Sequence, residues 1–246
     1  MFKVETTTYA GIPCYEIAEE GRAPLAELLL YHGWGSNAKK QCFRGQLLAA
    51  FGYRVIVPEI SGHGVRGTLA YEDASRVGDF LRVLVQSIEE CVQLARAVFT
   101  PGAAHFIVGH SLGGMIALGA VAALHSVLNG VAAMNSTAAW DDPAALMRGV
   151  YGDAVEVEKA LAAEDVQTCL RQLAPVAPAQ WLAQGIATPV LLTNGSLDRT
   201  IPATFNSRFL SAHLGAAMRQ VVIADAGHVV TDSALAEVVG FIEGLR

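Results

Sequence analysis

The sequence predicts an α/β protein whose mainly parallel, twisted sheet carries helices on both faces. Three observations indicate this class. Short apolar runs alternate with longer segments of helical periodicity, the runs are apolar throughout instead of alternating with polar residues, and several end at glycine or proline. Hydrophobic residues make up 52% of the 246, enough for one sizeable core, so we expect a single domain over residues 1–246.

The predicted strands are apolar runs bounded by turn residues. Phe2–Thr8 and Cys14–Ala18, joined through Ala10-Gly-Ile-Pro, predict an antiparallel hairpin. Further strands are expected at Glu27–Tyr31, Tyr53–Val57, His105–Val108, Val131–Met134, Pro189–Thr193 and Arg219–Ile223. Helices are expected between them at Ala38–Phe51, Ser75–Phe99, Leu112–Leu128, Pro202–Leu214 and Ser233–Leu245.

The alternation of strands and helices breaks between Ser136 and Gly185. This stretch has helical pieces at Ala144–Val150, Glu156–Ala163 and Val166–Leu173, and it is too long for an ordinary loop in a compact domain. We interpret residues 136–185 as a short helical cap inserted into the domain above the sheet.

Composition excludes several classes of function. A net charge of −6 does not favour binding to nucleic acid, and no basic block or long apolar run points to a membrane partner. The N-terminus has no apolar signal segment. The four cysteines lie far apart without metal-ligand spacing, so we expect reduced, mostly buried thiols, no metal site and a cytoplasmic location.

The segment Gly109-His-Ser-Leu-Gly113 matches the pattern G-x-S-x-G. The pattern alone is weak, but here a predicted buried strand runs into it and a predicted apolar helix leaves it. A sharp turn from strand to helix would place the Ser111 hydroxyl at a helix N-terminus above the end of the sheet, as in a nucleophile elbow. The alternative is a serine N-cap between tightly packed elements.

A serine nucleophile needs a base, and His125, His213 and His228 follow Ser111 in the chain. His125 falls on the helix after the serine, and His213 ends a predicted amphipathic helix. His228 follows a strand directly, and the loops at the C-terminal ends of strands are where open α/β sheets place their sites. We therefore predict His228 as the base; the alternative is a loop histidine bonded to its own backbone.

The histidine in turn needs a carboxylate to orient it. Asp198, in Asn194-Gly-Ser-Leu-Asp198, follows another predicted strand and is the expected acid; it could instead be a loop carboxylate paired with Arg199. Asp225 is more consistent with a turn, and Asp232 with the start of the last helix.

Two backbone N–H groups are expected to stabilise an oxyanion. One is that of Leu112, directly after the serine, and the other is that of Trp34 in His32-Gly-Trp34-Gly-Ser-Asn, a segment that could also be a plain glycine turn. The rings of Trp34, Trp140 and Trp181 are candidates for the wall of a substrate pocket, and the last two could equally be packing anchors of the cap.

With these motifs the chain resembles the α/β-hydrolase superfamily, and within it the small bacterial serine esterases of the prolyl-oligopeptidase-like and dienelactone-hydrolase-like groups. The resemblance covers nearly the whole chain except residues 136–185. The resemblance implies the α/β-hydrolase fold, Ser111, Asp198 and His228 as the triad, and Trp34 and Leu112 as oxyanion donors. One departure is Glu59, where relatives usually carry aspartate; we expect it to alter local hydrogen bonding only. The matching segments run from Leu30 to Asn37, from Gly52 to Gly64, from Gly109 to Gly114, from Asn194 to Pro202 and from Gly227 to Asp232.

The reaction that this resemblance implies is acyl transfer from a small or medium ester to water, without a cofactor. The partner is then a small-molecule ester, and the chain could be a monomer or a homodimer. A thioesterase, a short-peptide amidase or a C–C bond hydrolase could use the same triad. A non-catalytic binder of the same fold is the more distant alternative.

Overall fold

The structure, a computed structural model, describes residues 2–246 and is built on an eight-stranded sheet. The spatial order of the strands is β1-β2-β4-β3-β5-β6-β7-β8, and β3 to β8 are parallel to one another. Strand β2 is antiparallel to β1, as predicted for the N-terminal hairpin, and it is also antiparallel to β4. The strands are β1 Phe2–Tyr9, β2 Ile12–Glu19, β3 Ala26–Tyr31, β4 Tyr53–Pro58, β5 His105–His110, β6 Gly130–Met134, β7 Val190–Gly195 and β8 Met218–Ile223.

Helices cover both faces of this sheet, so each central strand is buried on both sides. Along β3, Leu28 and Leu30 pack into the core under α1 and α9, whereas Leu29 and Tyr31 pack into the core under α2 and α3. The mainly parallel α/β architecture predicted from the sequence is thereby confirmed. The helices outside the cap are α1 Ala38–Ala49, α2 Val77–Val98, α3 Leu112–Leu124, α8 Ala203–Ala212 and α9 Asp232–Glu243.

The cap, residues 136–185, contains four helices between β6 and β7. Three of them match the pieces expected from periodicity, while the fourth, very short one was not predicted. The cap packs on α2 and α3, which places it on one face of the sheet near the end of β5. The cap helices are α4 Pro143–Tyr151, α5 Ala154–Leu161, α6 Glu164–Leu173 and α7 Pro178–Ala183.

The cysteines are unpaired and mostly buried. Within residues 2–246 all the cysteines are free thiols, and Cys14, Cys91 and Cys169 are buried while Cys42 is half-buried. Burial raises the pKa of Cys14 and Cys91 to about 12, so these two thiols stay protonated and unreactive. Among the described residues, none of the helices combines the length and the hydropathy that crossing a bilayer requires.

Candidate active site

Ser111 lies at the sharp turn between β5 and α3. Its backbone has φ +54° and ψ −118°, a region that residues other than glycine rarely adopt. The turn is held by hydrogen bonds from Ser111 N–H to the Met134 carbonyl, 2.9 Å, and from Gly114 N–H back to the Ser111 carbonyl, 2.9 Å. The strained backbone therefore directs the hydroxyl away from the sheet, and the serine is only 7% exposed.

The glycines on either side of Ser111 are required by close backbone packing. A Cβ at Gly109 would overlap the carbonyl of Gly113, and a Cβ at Gly113 would lie 2.6 Å from the carbonyl oxygens of Tyr31 and His32. No other residue fits these two positions without moving the backbone, so the spacing of the motif follows from the contact between α3 and the end of β3.

His228 reaches Ser111 from the loop after β8. Its Nε2 lies 2.9 Å from the Ser111 Oγ, and its Nδ1 lies 2.8 Å from Oδ2 of Asp198. With a proton on Nδ1 facing the carboxylate, Nε2 is free to accept the hydroxyl proton. The structure thus brings together the three residues predicted from the sequence in one continuous hydrogen-bonded chain.

Asp198 is buried, yet it is held in its ionised form. Its Oδ1 accepts hydrogen bonds from the backbone N–H groups of Thr200 and Ile201, both at 2.9 Å, and its Oδ2 accepts one from the Asn135 amide at 3.2 Å. Burial opposes ionisation, but the hydrogen bonds from His228 and Ile201 outweigh it and lower the pKa of Asp198. The carboxylate is therefore available to stabilise a protonated His228.

Asn135 is a site residue that sequence reasoning missed. Besides Asp198, its amide donates to the Gly227 carbonyl at 2.8 Å, so one side chain ties the acid to the loop that carries His228. Its φ of +47° is a conformation that asparagine tolerates. The available signal was its position: it directly follows β6, which is the neighbour of β5 in the sheet.

The loop after β3 passes close to Ser111, as an oxyanion site requires. A Cβ at Gly33 would lie 3.3 Å from the Cβ of Ser111. The Leu112 N–H belongs to the first turn of α3, where N–H groups have no partner within the helix. Within residues 2–246, neither the Leu112 N–H nor the Trp34 N–H donates to a protein acceptor, so both are available for a ligand.

Three buried side chains brace this loop. His32 bonds the Gly33 carbonyl through Nδ1 at 2.9 Å and pairs with Glu59 through Nε2 at 3.1 Å, and His63 Nε2 accepts from the Gly35 N–H at 3.1 Å. Burial lowers the pKa of His63 to about 4, which keeps its ring neutral and able to accept this bond. His32 and His63 therefore hold the loop and lie outside the Ser111–His228–Asp198 chain.

Glu59 is buried and links His32 to the start of α1. Its Oε1 accepts from the Ala38 N–H at 2.9 Å, at the start of α1, and its carboxylate fills the space that a side chain at Gly64 would need. Burial opposes its ionisation, but bonds from His32 and Ala38 lower the pKa of Glu59. Glu59 thus takes part in local hydrogen bonds, and the expectation that glutamate at this position alters only local hydrogen bonding stays a prediction.

The three candidate tryptophans lie in different environments. The Trp34 indole donates to the Tyr71 carbonyl at 2.8 Å and packs edge-on against Phe80 of α2. Trp140 lines a cavity beneath the cap. Trp181 is completely buried in the core and presents no surface to a ligand in this structure, so it serves as a packing anchor, one of the two roles considered for it.

Comparison with known proteins agrees with this architecture. Esterase YjfP of Escherichia coli (strain K12) is 27% identical over 218 residues, 86% of this chain and 85% of that protein. The crystal structure of TT1662 from Thermus thermophilus superposes with a TM-score of 0.80 at 22% identity, over 100% of this chain and 98% of that one. The crystal structure of acetyl xylan esterase 1 from Thermoanaerobacterium sp. JW/SL YS485 superposes with a TM-score of 0.64 at 17% identity, over 100% of this chain and 88% of that one. At these identities the two structures show the shared fold alone. The profile of the Alpha/beta hydrolase family matches residues 28–241, and the chain belongs to that family.

Proposed function

We propose that this protein is a serine carboxylesterase that cleaves small or medium acyl esters through an acyl-enzyme on Ser111. The observation that carries the proposal is the unbroken chain of hydrogen bonds from the Ser111 hydroxyl through His228 to Asp198, at 2.9 and 2.8 Å. Such a chain is the arrangement that activates a serine hydroxyl at neutral pH.

In the first half of the reaction, the Ser111 Oγ forms a bond to the ester carbonyl carbon while its proton moves to Nε2 of His228. The carbonyl electron pair moves onto the oxygen, and we expect the N–H groups of Trp34 and Leu112 to donate hydrogen bonds to it. The tetrahedral intermediate then expels the alcohol, which takes the proton from Nε2. Asp198 stabilises the imidazolium that exists between these two proton transfers.

In the second half, water takes the place of the alcohol. His228 accepts a proton from the water as the water oxygen attacks the acyl carbon, and the bond to Ser111 breaks with return of that proton to Oγ. The products are the carboxylic acid and the free enzyme, so the cycle is balanced without any further reactant.

Ester substrates are favoured by the relatives and by the apolar cavity beneath the cap. Esterase YjfP matches 86% of the chain, although at 27% identity. The cavity beneath the cap is lined by apolar side chains such as Leu84, Met115 and Leu146, which suit an acyl chain better than a peptide.

The test is hydrolysis of p-nitrophenyl esters with acyl chains of two to twelve carbons by the wild type and by Ser111→Ala. We expect turnover with a chain-length optimum, reduced in Ser111→Ala by about 10⁴-fold or more. Ser211→Ala, which changes an exposed serine on α8, is the matched control and should keep the wild-type rate.

Labelling with a fluorophosphonate separates the alternatives. Labelling of Ser111 without ester turnover would contradict the esterase proposal and point to thioester, amide or C–C substrates. A wild type that is neither labelled nor active would show that the site is not catalytic.

A further inference from the structure

An apolar cavity of about 160 Å³ lies between α2, α3 and the cap. We call it the inner chamber. Apolar side chains form its lining, and no charged side chain of the described residues takes part in it. The members used below are Leu84, Met115, Trp140, Leu146, Met147 and Leu170.

Two backbone contacts place the inner chamber beside the predicted triad. The Met115 N–H donates to the Ser111 carbonyl at 3.1 Å, so Met115 lies one helical turn, about 6 Å, beyond the serine. Met147 lies two residues before Gly149, where a Cβ would overlap the carbonyl oxygen of Thr200. Thr200 in turn bonds Asp198, so α4 joins the chamber to the loop of the acid.

A third contact comes from the predicted oxyanion loop. The Trp34 ring packs edge-on against Phe80, with ring centroids 5.2 Å apart. Leu81 and Leu84, which follow Phe80 on α2, line the inner chamber. The chamber is thus bounded by α3, which begins directly after the serine, and by α4 and α2, which contact the loop of Asp198 and the loop of Trp34.

A second cavity, of about 500 Å³, lies on the other side of Trp140. We call it the outer cavity. The two cavities share Trp140, Ala174 and Ala177 as lining residues. The outer cavity has a mostly apolar lining too, but it also carries Asp141 and Arg208, both exposed, whereas no charged side chain of the described residues lines the inner chamber.

Trp140 is a fixed partition between these two spaces. Its indole N–H donates to the Thr137 carbonyl at 2.9 Å, and the opposite edge of the ring lies over Gly119 of α3, where a Cβ would meet it at 3.2 Å. Because the ring is held at both edges, it closes the end of the chamber instead of swinging open.

We propose that the inner chamber binds the acyl chain of the substrate and that Trp140 sets its maximum length. This inference rests on the proposed esterase function. A methylene group takes about the volume of a water molecule, ~30 Å³, so the chamber accommodates about five carbons beyond the reacting end. With the carbonyl carbon added, the substrate class is then an ester of an unbranched acid of about six carbons.

The test compares kcat/KM for p-nitrophenyl acetate, hexanoate and decanoate in the wild type, Trp140→Ala and Leu170→Trp. Each buried methylene raises kcat/KM about fourfold. Trp140→Ala joins the chamber to the outer cavity, so the ratio of decanoate to hexanoate should rise about tenfold or more. Leu170→Trp fills the chamber from a half-buried position and should lower the ratio of hexanoate to acetate by about tenfold.

Arg208→Ala, which alters the outer cavity alone, is the control and should keep the wild-type chain-length profile. Thermal melting followed by circular dichroism checks that each variant folds. If Trp140→Ala does not fold, the measurement on Leu170→Trp still tests the inference. Active enzymes with unchanged ratios in both substitutions would overturn the inference while leaving the esterase proposal intact. Loss of both ester turnover and fluorophosphonate labelling in the wild type would overturn the two together.

Discussion

Replacing Asp198 by asparagine should remove most of the activity while leaving the fold in place. The carboxylate accepts four hydrogen bonds, two on each oxygen, from Thr200, Ile201, Asn135 and His228. An asparagine at position 198 would keep one oxygen acceptor but present an NH₂ group in place of the other. One of the two pairs of hydrogen-bond donors would then face this NH₂ group, which is itself a donor. The two backbone N–H groups cannot rotate away, so we expect the NH₂ group to face His228.

The expected loss follows from the tautomer of His228. An NH₂ group at the Oδ2 position donates to Nδ1, which places the ring proton on Nε2, 2.9 Å from the Ser111 Oγ. Nε2 then cannot accept the hydroxyl proton, and the negative charge that stabilises the imidazolium is also gone. We expect kcat/KM to fall by about 10⁴-fold, a loss of about 5 kcal/mol in transition-state stabilisation.

The assay is kcat/KM on p-nitrophenyl butyrate together with the rate of fluorophosphonate labelling, and thermal melting to confirm that the variant folds. Asp198→Glu keeps the charge but displaces it by one methylene, so it should lose less, about 10²-fold. An Asp198→Asn variant that folds and keeps activity within tenfold of the wild type would refute the assignment of Asp198 as the acid.

Two further predictions concern stability. Gly109→Ala should lower the free energy of unfolding by about 3 kcal/mol or more, because the new Cβ overlaps the Gly113 carbonyl. In thermal melts, Gly240→Ala, in open space on α9, should instead stabilise by about 0.5–1 kcal/mol, and similar melting temperatures for the two variants would contradict the packing argument. His63 should destabilise the protein as pH falls from 6.5 to about 4, because the unfolded chain takes up a proton that the buried ring does not. Denaturant titrations should show that the free energy of unfolding of the wild type falls by roughly 2–3 kcal/mol over this pH range, and that His63→Gln lacks this fall. An equal fall in His63→Gln would exclude His63 as its source.

Most of the fold could be predicted because the strands and helices differ in local pattern. The central strands are continuous apolar runs, and α3 is apolar on every side because all of it except Ala122 and Ala123 near its C-terminal end is buried. The ends of elements were less certain: α2 begins at Val77 and not at Ser75, because the Asp73 side chain accepts the Ser75 N–H and forms a separate 3₁₀ turn at Ala74–Arg76. Element ends depend on such single capping bonds, which periodicity does not report.

The site was predictable where a residue follows a strand within a recognisable local motif. Ser111, Asp198 and His228 each follow a strand that ends at the same edge of the sheet. Asn135 also follows a strand, but a lone asparagine carries no motif, and its bonds to Asp198 and Gly227 join segments 63 and 92 residues away in the chain. Contacts at that separation leave no local signal.

The sequence by itself determined the parallel α/β architecture, the elbow at Ser111 and the order of the predicted triad, because these depend on local periodicity, on glycine and on the direction of parallel strands. Tertiary structure alone decided which tryptophan is buried and which borders a cavity. Trp140 and Trp181 lie in segments of similar composition, and only the packing of the cap on α2 and α3 distinguishes them. The size of the space that a substrate meets is a property of that packing, since it is set by side chains distant in the chain that touch only once the cap is in place.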